Sequence, residues 1–76
     1  MTVRARYRFV PHTLTADPEA ESAIFEAECT TCSDRSSASG EDREPVELWA
    51  LAHTGRTGHT GYREIITRFW RATPTP

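Results

Sequence analysis

Lysine is absent from this 76-residue chain: all nine basic residues are arginine. Every cation is therefore a planar fork matched to carboxylates or phosphates. Eleven acidic residues outweigh them and leave a net charge of −2, which excludes a global basic footprint for nucleic acid or an anionic membrane. Long apolar runs are missing as well. No stretch approaches the roughly 20 residues of a membrane-spanning helix. The first eight residues, Met1 to Arg8, lack the apolar core of a secretory leader, so a cytoplasmic setting is expected. Two cysteines are too few for a disulfide-dense scaffold. No nucleophile elbow, inward-facing carboxylate pair or phosphate loop can be read. Gly55, Gly58 and Gly61 do recur every three residues, but behind a helical stretch rather than ahead of one. An enzyme is not expected.

Apolar bulk is scarce too. Hydrophobic residues make up 37% of the chain, and residues 33–44 hold no large apolar side chain. A core in a domain of roughly 70–80 residues rarely supplies more than about 3–5 kcal/mol, so such scaffolds carry a staple. What the chain does have is Cys29-Thr-Thr-Cys32 and His53-Thr-Gly-Arg-Thr-Gly-His59, or C-x2-C, twenty residues, then H-x5-H. Two close pairs of sulfur and imidazole ligands are what a tetrahedral structural zinc site requires. Zinc contributes about 10–16 kcal/mol of apparent binding free energy in finger peptides, which suits a chain short of core. A Cys29–Cys32 disulfide would close a very short loop and stabilise little. Redox chemistry would need the pair at a helix N-terminus, whereas a strand precedes it here. His12, the remaining histidine, follows a proline in a strand-to-turn region and is not expected to be a ligand. Four protein ligands close the coordination sphere, which argues for structure and against hydrolysis.

Residues Val3 to Phe9 alternate apolar and arginine, the period of a strand, with Val3, Ala5, Tyr7 and Phe9 on one face and Arg4, Arg6 and Arg8 on the other. Pro11 is expected to stop it, and Thr15 to Pro18 to turn. A second alternation over Ser22–Glu28 puts Ala23, Phe25, Ala27 and Cys29 on one side, with Ile24, Glu26 and Glu28 opposite. Residues 33–44 read as a flexible polar loop. Pro45 then opens a helix to about His53, with Glu44 and Glu47 at its positive end and Gly55 as its stop. Val46, Trp49, Ala50 and His53 share one stripe of that helix. Six residues further on, His59 would lie some 240° round the axis, so the helix must loosen, with Gly55 and Gly58 supplying the freedom. Tyr62–Arg71 reads as a third strand. The expected fold is α+β: a small zinc-stabilised ββαβ domain over residues 1–72, with an antiparallel sheet, one short helix and a disordered tail at 73–76.

Two surfaces carry functional readings. Arg4, Arg6 and Arg8 would line a strand face at about 7 Å intervals, near phosphate spacing. Arg63, Arg68 or Arg71 could widen that face, and Tyr62, Phe69 and Trp70 could stack on bases. Against this, Glu26 and Glu28 alternate in step with those arginines and would neutralise them across an antiparallel pair, which is the favoured reading. Leu48 and Leu51 lie off the ligand stripe. They either form an apolar strip for a partner protein or are covered by the third strand or by arginine stems. Tyr7, Phe9, Phe25 and Trp49 are expected in the core.

Cys29-x2-Cys32 and His53-Thr-Gly-Arg-Thr-Gly-His59-Thr-Gly-Tyr62-Arg63 make the chain resemble a group of small, uncharacterised actinobacterial (Streptomyces-type) proteins. These carry a C-x2-C knuckle, a variable loop and a short helix running into H-x5-H. The resemblance runs from Arg8-Phe-Val-Pro-His12 to Phe69-Trp70. Its ligand plan is similar to that of C2H2 zinc fingers, with twenty residues between the pairs in place of about twelve. The helix opens Pro45-Val-Glu-Leu-Trp-Ala, where a base-reading helix would carry arginine, asparagine or glutamine. The resemblance implies one structural zinc on Cys29, Cys32, His53 and His59 in a bacterial cytoplasm, and no activity. The expected role is a non-enzymatic module that binds another protein as a regulatory accessory. The alternative is a nucleic-acid binder using Arg4, Arg6 and Arg8.

Overall fold

The computed structural model describes residues 10–75 together with the backbone of residues 3–7. The architecture is α+β, with antiparallel sheets and a single helix among the described residues. In chain order the elements are β1 (Val3–Tyr7), β2 (Val10–Ala16), β3 (Ile24–Cys29), β4 (Ser39–Gly40), α1 (Glu44–Thr57), β5 (Tyr62–Thr67) and β6 (Trp70–Pro74). They form two three-stranded sheets, one ordered β1-β2-β6 and the other β4-β3-β5. The second sheet carries the helix. Ala23, Ala27 and Cys29 on its inner face and Val46 of α1 are buried together. The alternation read over Ser22–Glu28 therefore describes β3 correctly, and its small residues let α1 approach closely.

Strand pairing departs from the expected plan. β1 pairs with β2, with Arg4 opposite Thr13 and Arg6 opposite Pro11. Glu26 and Glu28 stand in the other sheet, so they do not neutralise the β1 arginines across a strand pair. Sequential strands joined by a short connection pair readily, and the β1–β2 neighbours outcompete the longer-range alternative. Glu28 instead lies opposite Arg63 of β5, with a guanidinium nitrogen 3.3 Å from its carboxylate. Arg35 reaches Glu26 at 3.6 Å and Glu28 at 3.9 Å. Arg8 and Phe9 lie outside the described residues, as do the side chains of Arg4, Arg6 and Tyr7.

Pro11 does not end a strand; it sits one residue inside β2. Proline forfeits only its donor, and its carbonyl still accepts from the Thr75 N–H at 2.9 Å. That bond, with Thr73 opposite Thr13 in the β2–β6 ladder, also ties down the stretch read as a tail. The single strand expected over Tyr62–Arg71 is two strands in two sheets, broken at Arg68 and Phe69. Asp17 fastens this crossover: its N–H donates to the Phe69 carbonyl at 2.9 Å, and its carboxylate accepts two bonds from Arg71 at 3.0 and 3.1 Å. The Arg71 guanidinium holds the Asp17 carboxyl below the usual carboxylate range.

Residues 33–44 were expected to be a loop, yet much of the segment runs antiparallel to β3. The Cys29 N–H donates to the Asp34 carbonyl at 2.8 Å, and the Ser36 N–H to the Ala27 carbonyl at 2.9 Å. Arg35 bridges Glu28, β4 pairs with Ile24 and Phe25, and the Glu41 N–H donates to the Ala23 carbonyl at 2.8 Å. Buried Ser36 supplies its hydroxyl oxygen to the Ala27 N–H at 2.9 Å. Polar and charged composition is how sheets blunt an exposed edge, so this edge shows no alternation to read.

The helix is longer than expected, and Gly55 is not its stop. α1 runs through Gly55 to Thr57 and is capped by Gly58 at φ 77°, whose N–H donates to the Thr54 carbonyl. No atom lies within 4 Å of a Cβ built at Gly55. Among the described residues, no helix is long and apolar enough to cross a membrane.

The two glycines should therefore respond with opposite signs. Gly55→Ala should stabilise the fold by roughly 0.5–1 kcal/mol, because helix interiors favour alanine. Gly58→Ala should destabilise it by about 1–2 kcal/mol, through the left-handed backbone. Urea unfolding of the metal-loaded protein measures both, and equal signs would refute the assigned helix end.

Candidate metal centre

Cys29 ends β3 and enters a five-residue turn, Cys29 to Ser33. The Ser33 N–H closes that turn on the Cys29 carbonyl at 2.9 Å, with Ser33 itself at φ 68°. Both sulfurs come to the same end of the sheet, beneath the last turns of α1. His53 arrives from the buried stripe of the helix, and His59 from the chain just past Gly58. The one ligand atom offered by each of Cys29, Cys32, His53 and His59 lies within 4.8 Å of the other three. All four sequence-predicted ligands are thus brought together. His12 is not among them: it sits on β2 in the other sheet, with Nδ1 2.9 Å from the Val10 carbonyl oxygen.

The closest approaches decide what the cluster can hold. Cys32 Sγ lies 3.4 Å from His53 Nε2, and Cys29 Sγ lies 3.6 Å from His59 Nδ1. A tetrahedral ion with bonds of about 2.3 Å to sulfur and 2.0–2.1 Å to nitrogen places such atoms about 3.5 Å apart. These two sulfur–nitrogen pairs stand at the separation a shared ion imposes, and every ligand atom lies within 4.8 Å of the others. The residues present fit a metal ion of that size.

Backbone dipoles prepare the sulfurs. Burial pushes the Cys29 thiol up, but the amide N–H groups of Cys32 and Thr31 aimed at its sulfur outweigh this and leave it below the ordinary thiol range. The Asp34 N–H pulls Cys32 down, yet burial, the Cys29 sulfur and the Asp34 carboxylate together push it up. Two thiols this close release their protons as a pair, and a cation between them favours the loss of both.

The imidazoles are fixed from behind. Trp49 stacks on His53 at 5.0 Å between ring centroids and 17° between planes, and Tyr62 meets the same ring edge-on at 6.0 Å. His53 Nδ1 is buried without a hydrogen-bond partner; the Asp34 carboxylate oxygen Oδ2 lies 4.0 Å away. Nε2 faces the Cys32 sulfur, and a metal held there would leave Nδ1 pointing towards the Asp34 carboxylate.

His59 is held by hydroxyls that sequence reading overlooked. Its N–H donates to Thr57 Oγ1 at 3.0 Å, and its carbonyl accepts from Thr54 Oγ1 at 2.7 Å. Thr57 Oγ1 in turn donates to the His53 carbonyl at 2.7 Å. The Tyr62 hydroxyl lies 2.7 Å from Thr54 Oγ1 and 2.8 Å from the Ala50 carbonyl, to which it donates. Sequence reading gave the threonines of His53-Thr-Gly-Arg-Thr-Gly-His59 no role and offered Tyr62 as a stacking surface. The available signal was their period of three, which sets both hydroxyls on the final helical turn.

Thr54→Val keeps the β-branched shape and removes one hydroxyl. It should destabilise the fold by about 1 kcal/mol and weaken metal binding by about tenfold, as outer partners of ligands do. Competition with a chromogenic chelator measures the second effect, and unchanged affinity would discount the hydroxyl network.

No curated protein and no solved structure matches this chain. A family profile described as a domain of unknown function, DUF7848, does match, over residues 1–76, and the chain accordingly belongs to that family.

Proposed function

We propose that the chain is a non-enzymatic module held together by one structural zinc ion, which docks on another protein as a regulatory accessory in the cytoplasm. The observation that carries this reading is the convergence of Cys29, Cys32, His53 and His59 within 4.8 Å. Two sulfurs and two imidazoles gathered this closely suit zinc better than oxygen-seeking cations. Four protein ligands leave no position for water or substrate, which supports a structural role. The C2H2-like ligand plan shared with small actinobacterial proteins belongs to the same reading, as does a reducing compartment that keeps the thiols free.

Leu48 and Leu51 support the docking part. They remain 56% and 70% exposed, so neither β5 nor an arginine stem covers them. Both lie on the solvent side of α1, where a partner surface would find them next to Glu47. The nucleic-acid reading has less support. Arg63 and Arg71, two of the three residues offered as extensions of the arginine face, are paired with Glu28 and Asp17, and Arg68 alone of the three has no ion pair among the described residues. Arg35 and Arg43 are likewise paired, with Glu26 and Glu28 and with Glu47 and Glu64.

Atomic-emission analysis should find one equivalent of zinc, and chelation should unfold the chain. Cys29→Ser and His59→Ala should reproduce the chelated state. Acid should release the metal, because protons compete for thiolates and imidazoles and binding strengthens as pH rises. Leu51→Glu should leave zinc content and fold intact while abolishing co-purification of the native partner; a strict monomer with no partner at any salt would oppose docking. The nucleic-acid alternative requires binding that weakens steeply with salt and fails in the Arg4, Arg6 and Arg8 to alanine variant.

A further inference from the structure

We propose that Cys32 is an oxidative modification site: a hydroperoxide attacks its sulfur, Cys29 resolves the product as a Cys29–Cys32 disulfide, and the bound metal is expelled. This rests on the metal reading above and adds a regulation of the same centre. The carrying observation is an asymmetry within the ligand set. Cys29 is wholly buried at 0% exposure, whereas Cys32 is exposed. Of the two residues, only Cys32 presents surface to solvent without opening the fold.

The chemistry balances with a named oxidant. Metal-bound cysteine is thiolate, the nucleophilic form. The Cys32 thiolate attacks one peroxide oxygen, the O–O bond breaks, and Cys32 becomes a sulfenic acid as the departing oxygen takes a proton to become alcohol or water. The Cys29 thiolate then attacks the Cys32 sulfur. An S–S bond forms, the S–O bond breaks, and the hydroxide is protonated to water. Two thiolates give two electrons to one hydroperoxide, and two protons are consumed.

Geometry favours the second step. The two sulfurs lie within 4.8 Å of each other on one five-residue turn. Reaching a bond of about 2.05 Å needs the exposed Cys32 side chain to swing inward while Cys29 stays in place. The disulfide removes both anionic ligands, and His53 and His59 alone are a weak pair. Its loop is too short to replace the metal as a staple. The oxidised chain therefore loses the centre of its core, and a thiol reductant with added zinc restores it.

The experiment starts from purified protein whose zinc content has been measured. Material that binds no zinc when reduced refutes the metal reading itself, before any oxidant is added. Zinc-loaded protein is then treated with hydrogen peroxide beside a chromogenic zinc indicator and a carbon-acid trap for sulfenic acid, with peptide mass spectrometry. The expected result is trapped sulfenic acid on Cys32 and none on Cys29, disulfide forming in step with zinc release, and recovery with reductant and zinc. Cys32→His keeps a fourth ligand without the exposed thiolate and should release zinc about tenfold more slowly. Retained zinc under peroxide, trapping on Cys29, or equal release from Cys32→His would each overturn the proposal. If Cys32→His fails to load zinc, the position of the trap in the parent protein decides.

Discussion

The largest fully buried side chains among the described residues are His53 and Cys29, and both belong to the four-residue cluster placed to hold a metal ion. In an ordinary small domain those places belong to leucine, phenylalanine or isoleucine. Here the other buried apolar residues are small, Ala23, Ala27 and Val46, with the half-buried rings of Trp49 and Tyr62 packed on His53. Cys29 Sγ faces His59 Nδ1 and Cys32 Sγ faces His53 Nε2, while His53 Nδ1 stays buried with no partner, a state that polar groups avoid. The end of the second sheet where β3 stops at Cys29 gathers four groups that a cation would pair. The knuckle turn, the length of α1 and the left-handed cap at Gly58 are all arranged around that point.

The site was legible in the sequence because ligand type and spacing are local properties. Cys29, Cys32, His53 and His59 needed no knowledge of sheet pairing. The inner face of β3 was legible for the same reason, since Ala23, Ala27 and Cys29 repeat with the period of a strand. The end of α1 was misjudged because a glycine is a permitted stop rather than an obligatory one. Gly55 is tolerated inside the helix, and only at Gly58 does the backbone require a residue without Cβ. The hydroxyls of Thr54 and Thr57 act through the last turn, so they could not be placed until that turn was known to form.

Long-range pairing was not legible. Nothing in Arg4 or Glu28 says which strand lies beside which, because both alternations suit either sheet. The edge formed by residues 34–40 gave no signal either. An edge facing water on one side is polar by necessity, and Arg35, Ser36 and Ser39 look like loop residues to any reading by hydrophobic pattern. The division of Tyr62–Arg71 between two sheets rests on Asp17 meeting Phe69 and Arg71 across the crossover, contacts far apart in sequence.

That crossover sets an order of assembly. Asp17 and Arg71 stand 54 residues apart, so joining β2 to β6 in an otherwise open chain means closing a long loop, whose entropic cost grows with its length. Once β3 has met β5, Ile24 is beside Thr67, and only the two short crossings remain to be closed. Whatever zips the second sheet thereby shortens the search that brings β2 and β6 together. An ion held by Cys29, Cys32, His53 and His59 would then be a kinetic clasp for strands that never touch it.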